Sequence, residues 1–109
     1  MIDKKIVETV DEWLDGHVAG EYLSQPLAQD WARVSKVIEE CGEAIAELIL
    51  CTGQNPRKPL DPTAYQRLLQ ELADTAMTGI YAIQHFTKDI NKTEFIMTTA
   101  QLKHYNRVT

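Results

Sequence analysis

The sequence predicts an all-α fold, an antiparallel bundle of about four helices in one domain covering residues 1–109. Three observations carry that reading. Apolar residues recur at helical spacing, most clearly Trp31, Val34, Ile38, Cys41, Ile45 and Leu48, separated by 3, 4, 3, 4 and 3. Glycine and proline fall between the periodic stretches rather than inside them. A chain of 109 residues is also the size of one domain.

The first helix is expected over about 3–17, with Ile6, Val10, Trp13 and Leu14 on one side. The stretch "GHVAGEYLSQP" ends it through Gly16, Gly20 and Pro26. The second runs over about 27–51 with the Trp31–Leu48 seam, and Gly53 is placed to stop it. Pro56 and Pro59 keep "TGQNPRKPLD" out of helix. Asp61 then reads as an N-cap with Pro62 at the first helical position of a third helix, about 62–87. Asp89 and Asn91 mark a break, and Asn91 and Glu94 have capping-box spacing for a fourth helix over about 92–107. Thr98 and Thr99 weaken that helix, so its end is expected to fray. The two long helices, joined by a loop of roughly ten residues, are expected to run antiparallel.

Composition narrows the function. The chain is 44% hydrophobic and 25% charged, as soluble domains are, and no apolar run nears the roughly 18 residues that span a bilayer. The N-terminal "MIDKKIVETVDEW" lacks the apolar core of a signal peptide, so no membrane role and a cytoplasmic location are expected. A net charge of −5 argues against nucleic acid as partner. Cys41 and Cys51 would lie about 15 Å apart on one helix, so they are expected to be buried free thiols.

The chemistry is concentrated in acidic residues. "EECGEAIAE" places Glu39, Glu40, Glu43 and Glu47 within nine positions of the second helix, where like charges one turn apart repel. By periodicity, Glu40, Glu43 and Glu47 lie roughly 150° from the apolar seam, which is also where a plain solvated face would fall. The third helix adds a second pair. Tyr65, Leu69, Leu72, Ala76 and Ile83 form its main stripe. Ala73, Met77, Ile80 and Tyr81 carry apolar character round most of its circumference. Such a helix is expected to be buried on more than one side, which also suggests at least a dimer. Asp74 is the one charged residue from Leu72 to Ile83, and Glu71 precedes it by one turn. Packed antiparallel, the two helices would bring Glu40, Glu43, Glu71 and Asp74 together, and a divalent cation would turn their repulsion into attraction. Mg²⁺ is the natural ion, since it prefers oxygen ligands and is often shared with phosphates.

Glu39, Glu40 and Glu43, then Glu71 and Asp74, form an "E-E-x-x-E … E-x-x-D" pattern. It resembles the signature of the MazG-type all-α nucleoside triphosphate pyrophosphohydrolases. "TGQNPRKP" and "ELADTAMTGIYAIQHFTKD" resemble a MazG-like subgroup with an NPRK loop, and the likeness covers about 31–89. It implies a helical homo-oligomer, dimer or tetramer, that uses Mg²⁺, or Mn²⁺ in its place. The implied reaction cleaves a nucleoside triphosphate between the α and β phosphates, giving a monophosphate and pyrophosphate. Glu40, Glu43, Glu71 and Asp74 would be the metal ligands. Glu39 would serve beside Glu40 as an auxiliary ligand or as the group that orients the attacking water.

Basic groups are expected to meet the phosphates. Arg57 and Lys58 stand in the NPRK loop, and Lys103, Asn106 and Arg107 match in kind a group the family carries near the end of its last helix. Trp31, Tyr81 and Tyr105 are candidates to stack on a base, with the core or an interface as the plainer role for Trp31 and Tyr81. His17, His85 and His104 show no metal spacing and read as surface or core residues. Two other readings stay open: a non-catalytic helical module that binds a nucleotide or a protein, and an enzyme of this fold acting on dUTP or a phosphoribosyl nucleotide.

Overall fold

The computed structural model describes residues 2–17 and 26–109. Among the described residues there are four α-helices and no strand: α1 Lys4–His17, α2 Pro26–Thr52, α3 Ala64–Thr87 and α4 Ile90–Val108. The all-α expectation holds, with each helix end within two residues of its expected position. Gly20, expected to help end α1, lies outside the described residues. No helix is long and apolar enough to cross a membrane.

The helix ends follow from local chemistry. Gly53 takes φ 68°, and Gln54 N–H returns to Ile49 O at 3.3 Å, so α2 closes in a Schellman turn. A Cβ at Gly53 would also stand 3.2 Å from Leu60 Cδ1. Asp61 caps the start of α3 as expected, accepting from Thr63 N (3.0 Å) and Thr63 Oγ1 (2.6 Å). Pro62 and Thr63 form a turn, so the helix proper begins at Ala64. The fourth helix departs from expectation. Its cap is Asp89, whose Oδ1 accepts from Asn91 N (3.0 Å) and Lys92 N (3.3 Å). Asn91 and Glu94 make no capping box; Glu94 instead pairs with Lys4 at 3.2 Å. Thr98 and Thr99 leave no break, and α4 continues through Val108.

The chain divides into two compact units, one of Met1–Ala32 and Ile80–Thr109, the other of Arg33–Gly79. In the first, Val7, Ile80 and Ala82 are buried beside a polar knot in which Thr93 Oγ1 donates to Gln84 Oε1 at 2.7 Å and lies 2.9 Å from Thr87 Oγ1. On α1 the buried residues are Val7 and Asp11, whereas Ile6 and Trp13 of the expected apolar side are exposed.

In the second unit α2 and α3 run antiparallel, tied by Arg67 Nε to Glu47 Oε2 at 2.9 Å and by Asp61 N–H to Leu50 O at 2.9 Å. Its core reverses the expected one. The only buried apolar residues there are Ala44 and Ala64, while Val34, Ile38, Ile45 and Leu48 of the seam are 45, 72, 53 and 41% exposed. Cys41, expected to be buried, is an exposed free thiol on the same seam; Cys51 is free and half-buried.

Candidate metal centre

The side of α2 turned toward α3 carries Arg33, Glu40 and Ala44, all buried. Glu40 is only 8% exposed, and Glu43 follows one turn later. The antiparallel α3 brings Glu71 to them. One carboxylate oxygen from each of Glu40, Glu43 and Glu71 lies within 4.8 Å of the other two. On the acidic face of α2, Glu40 is buried and Glu47 half-buried, while Glu39 and Glu43 are exposed.

Crowding three carboxylates has an electrostatic cost that Glu71 bears. Burial first, then the neighbouring Glu43 and Glu40, push its pKa up to about 7. Glu71 Oε2 is closed to solvent and accepts no hydrogen bond. A shielded oxygen without a donor, beside two like charges, fits a bound divalent cation. The surrounding charges are already engaged. Lys36 Nζ reaches Glu39 and Glu40, each at 3.2 Å, and hydrogen bonds to Glu39 and then Glu40 raise its pKa. Arg67 holds Glu47 and, at 2.8 Å, Asp61. Glu47 is thus neutralised next to the three-carboxylate group without joining it.

The other expected site residues lie as follows. Glu39 is exposed on its pair with Lys36. Asp74 is exposed and stands outside the group formed by Glu40, Glu43 and Glu71. The expectation that apolar neighbours bury it fails because Leu72, Ala73 and Ala76 are themselves exposed. Arg57 and Lys58 are exposed on a loop ordered by Asn55, whose Oδ1 accepts from Arg57 N (3.0 Å) and whose carbonyl accepts from Lys58 N (3.1 Å). Lys103, Asn106 and Arg107 are exposed on α4, in the first unit. Tyr105 is exposed as well.

One group escaped the sequence reading. Asp11, Asp15 and His85 also place three ligand atoms within 4.8 Å of one another. The available signal was the one-turn spacing of Asp11 and Asp15 on α1; nothing in the sequence tied His85 to them across some seventy residues.

The fold and the first site define an all-α chain with a carboxylate centre between two antiparallel helices. The chain matches no protein-family model, no curated protein and no solved structure.

Proposed function

We propose that the protein is a Mg²⁺-dependent nucleoside triphosphate pyrophosphohydrolase of the MazG-like class, releasing monophosphate and pyrophosphate. The observation that carries this is the convergence of Glu40, Glu43 and Glu71 with an unbonded, shielded oxygen on Glu71. Bound Mg²⁺ would neutralise phosphate charge and lower the pKa of a water. Glu40, Glu43 and Glu71 would hold it. Glu39 shares a helix face with Glu43 four residues on, and its exposed carboxylate, now paired with Lys36 at 3.2 Å, would leave that lysine to orient the water and accept its proton. Asp74 is the fourth proposed ligand, and Arg57, Lys58, Lys103, Asn106 and Arg107 are the proposed phosphate contacts.

The reading includes a homo-oligomer, a dimer or a tetramer, in a cytoplasmic setting. On α2 the exposed seam lies about 100° round from Glu40 and Ala44, and on α3 Tyr65, Leu69 and Leu72 lie about 120° round from Ala64 and Glu71. Because the helices are antiparallel, both offsets emerge on one side of the hairpin. A second copy of that apolar face would supply the core that this unit lacks.

The test is a panel of nucleoside triphosphates with Mg²⁺, followed by pyrophosphate release. Activity abolished by Glu43→Gln and by Asp74→Asn is expected. A folded protein silent across the panel contradicts the proposal. The same exposed face favours a second reading, a non-catalytic module for a nucleotide or protein. That reading predicts thermal stabilisation by the ligand with no product formed.

A further inference from the structure

We infer that Asp11, Asp15 and His85 form a second metal site, chemically distinct from the glutamate centre, for a borderline transition ion such as Zn²⁺ or Co²⁺. All three residues belong to the first unit. Their donor set, two carboxylates and one imidazole, suits such an ion better than Mg²⁺, which takes oxygen ligands.

His85 carries the argument. Its side chain is 10% exposed, and its Nε2 lies 2.7 Å from Asp30 Oδ1. A carboxylate accepts only, so Nε2 carries a proton, and in the neutral imidazole Nδ1 then keeps its lone pair for a metal. That Nδ1 is shut from solvent and makes no hydrogen bond. It points at Asp15 Oδ1, 3.5 Å away. Two lone-pair atoms facing each other at that distance repel unless a proton or a metal cation lies between them. Ligands about 2.1 Å from a tetrahedral ion stand roughly 3.4 Å apart, close to that separation. Asp30 then has the role that carboxylates play behind metal-bound histidines, fixing the tautomer and the ring plane.

The local charge agrees. Asp11, Asp15 and Asp30 bring three carboxylates to this group, and the ammonium of Lys88 pairs with two of them. Lys88 Nζ lies 2.8 Å from Asp11 Oδ2 and 2.5 Å from Asp15 Oδ2, where a metal would draw on the same oxygens. Its side chain is 48% exposed, so it can withdraw into water. Lys88 is therefore a tethered competitor, and metal binding exchanges its ammonium for a doubly charged ion.

The test is titration of the full chain with Co²⁺ in a Cys41→Ser, Glu43→Gln background, which removes the exposed thiol and disables the glutamate centre. Visible d–d absorption reads the ligand field, and imidazole ¹⁵N resonances followed during a parallel Zn²⁺ titration read the nitrogen. One ion per chain is expected, with the His85 Nδ1 resonance shifted. Affinity should fall tenfold or more in His85→Ala and in Asp15→Asn, fall 10–100-fold in Asp30→Asn, and rise at least tenfold in Lys88→Met. Circular dichroism confirms that each variant is folded. If Lys88→Met does not fold, the His85 resonance in the parent chain decides. An unshifted His85 nitrogen, an affinity indifferent to His85→Ala, or a folded Lys88→Met with no gain overturns the site. Failure here leaves the pyrophosphohydrolase assay untouched, because the glutamate centre is disabled throughout.

Discussion

Glu71 is the residue on which the electrostatics of the glutamate centre turn. Its folded pKa of about 7 lies above the ordinary 4.5, so between those values the folded chain holds a proton that the unfolded chain releases. The contribution of Glu71 to stability is then fully present below about pH 4.5 and is lost as pH rises through about 7. In chelator, melting temperature followed by circular dichroism should decline across that window, and Glu71→Gln should flatten the decline. Mg²⁺ should restore the lost stability at neutral pH, because a cation replaces the proton. A parent chain without the decline would show that the three carboxylates do not crowd one another. Lys88 offers a second residue-scale reading. It is the one described non-glycine residue at positive φ, 49°, a conformation that costs roughly 1 kcal/mol. Burial works to lower its pKa, but Asp11 and Asp15 outweigh that and raise it.

At the scale of the helices, the boundaries were legible and the facing was not. Gly53 and Asp61 mark their ends by chemistry that is local to the chain, so sequence suffices for them. Asp89 and Asn91 competed for one cap, and the choice fell to Asp89 because its carboxylate reaches two N–H groups at once. Asp89→Ala should cost about 1 kcal/mol in a denaturant melt, whereas Asn91→Ala should change stability by a few tenths at most. Facing is a different problem. The 3,4 spacing of Trp31 to Leu48 says that these residues share a side of α2, but not what that side meets. In the single chain it meets solvent, and Glu40 with Ala44 meets α3. Glu40, Glu43 and Glu71 were therefore readable as a set, through their spacing, while the exposure of Asp74 was not, because its apolar neighbours are themselves exposed. His85 was beyond reach for another reason: its partners come from α1 and from Asp30 on α2, a pairing made only by tertiary structure.

At the scale of the whole molecule, the Arg33–Gly79 unit holds the greater part of α2 and of α3 and no large buried apolar side chain. The proposed association through that face would supply the apolar core that this unit lacks. Ile38→Lys and Ile45→Glu should each shift the protein toward monomer in sedimentation velocity and lower its melting temperature by several degrees, since each places a charge where apolar contact is needed. A parent chain that sediments as a monomer at tens of micromolar would remove the oligomer from the proposal while leaving the metal centre standing. The measurement that tests the central claim most directly is anomalous diffraction from crystals soaked in Mn²⁺. The account predicts a peak held by carboxylate oxygens of Glu40, Glu43 and Glu71, and its loss in Glu43→Gln. Crystals of the parent chain with those three side chains ordered and no peak among them would contradict it.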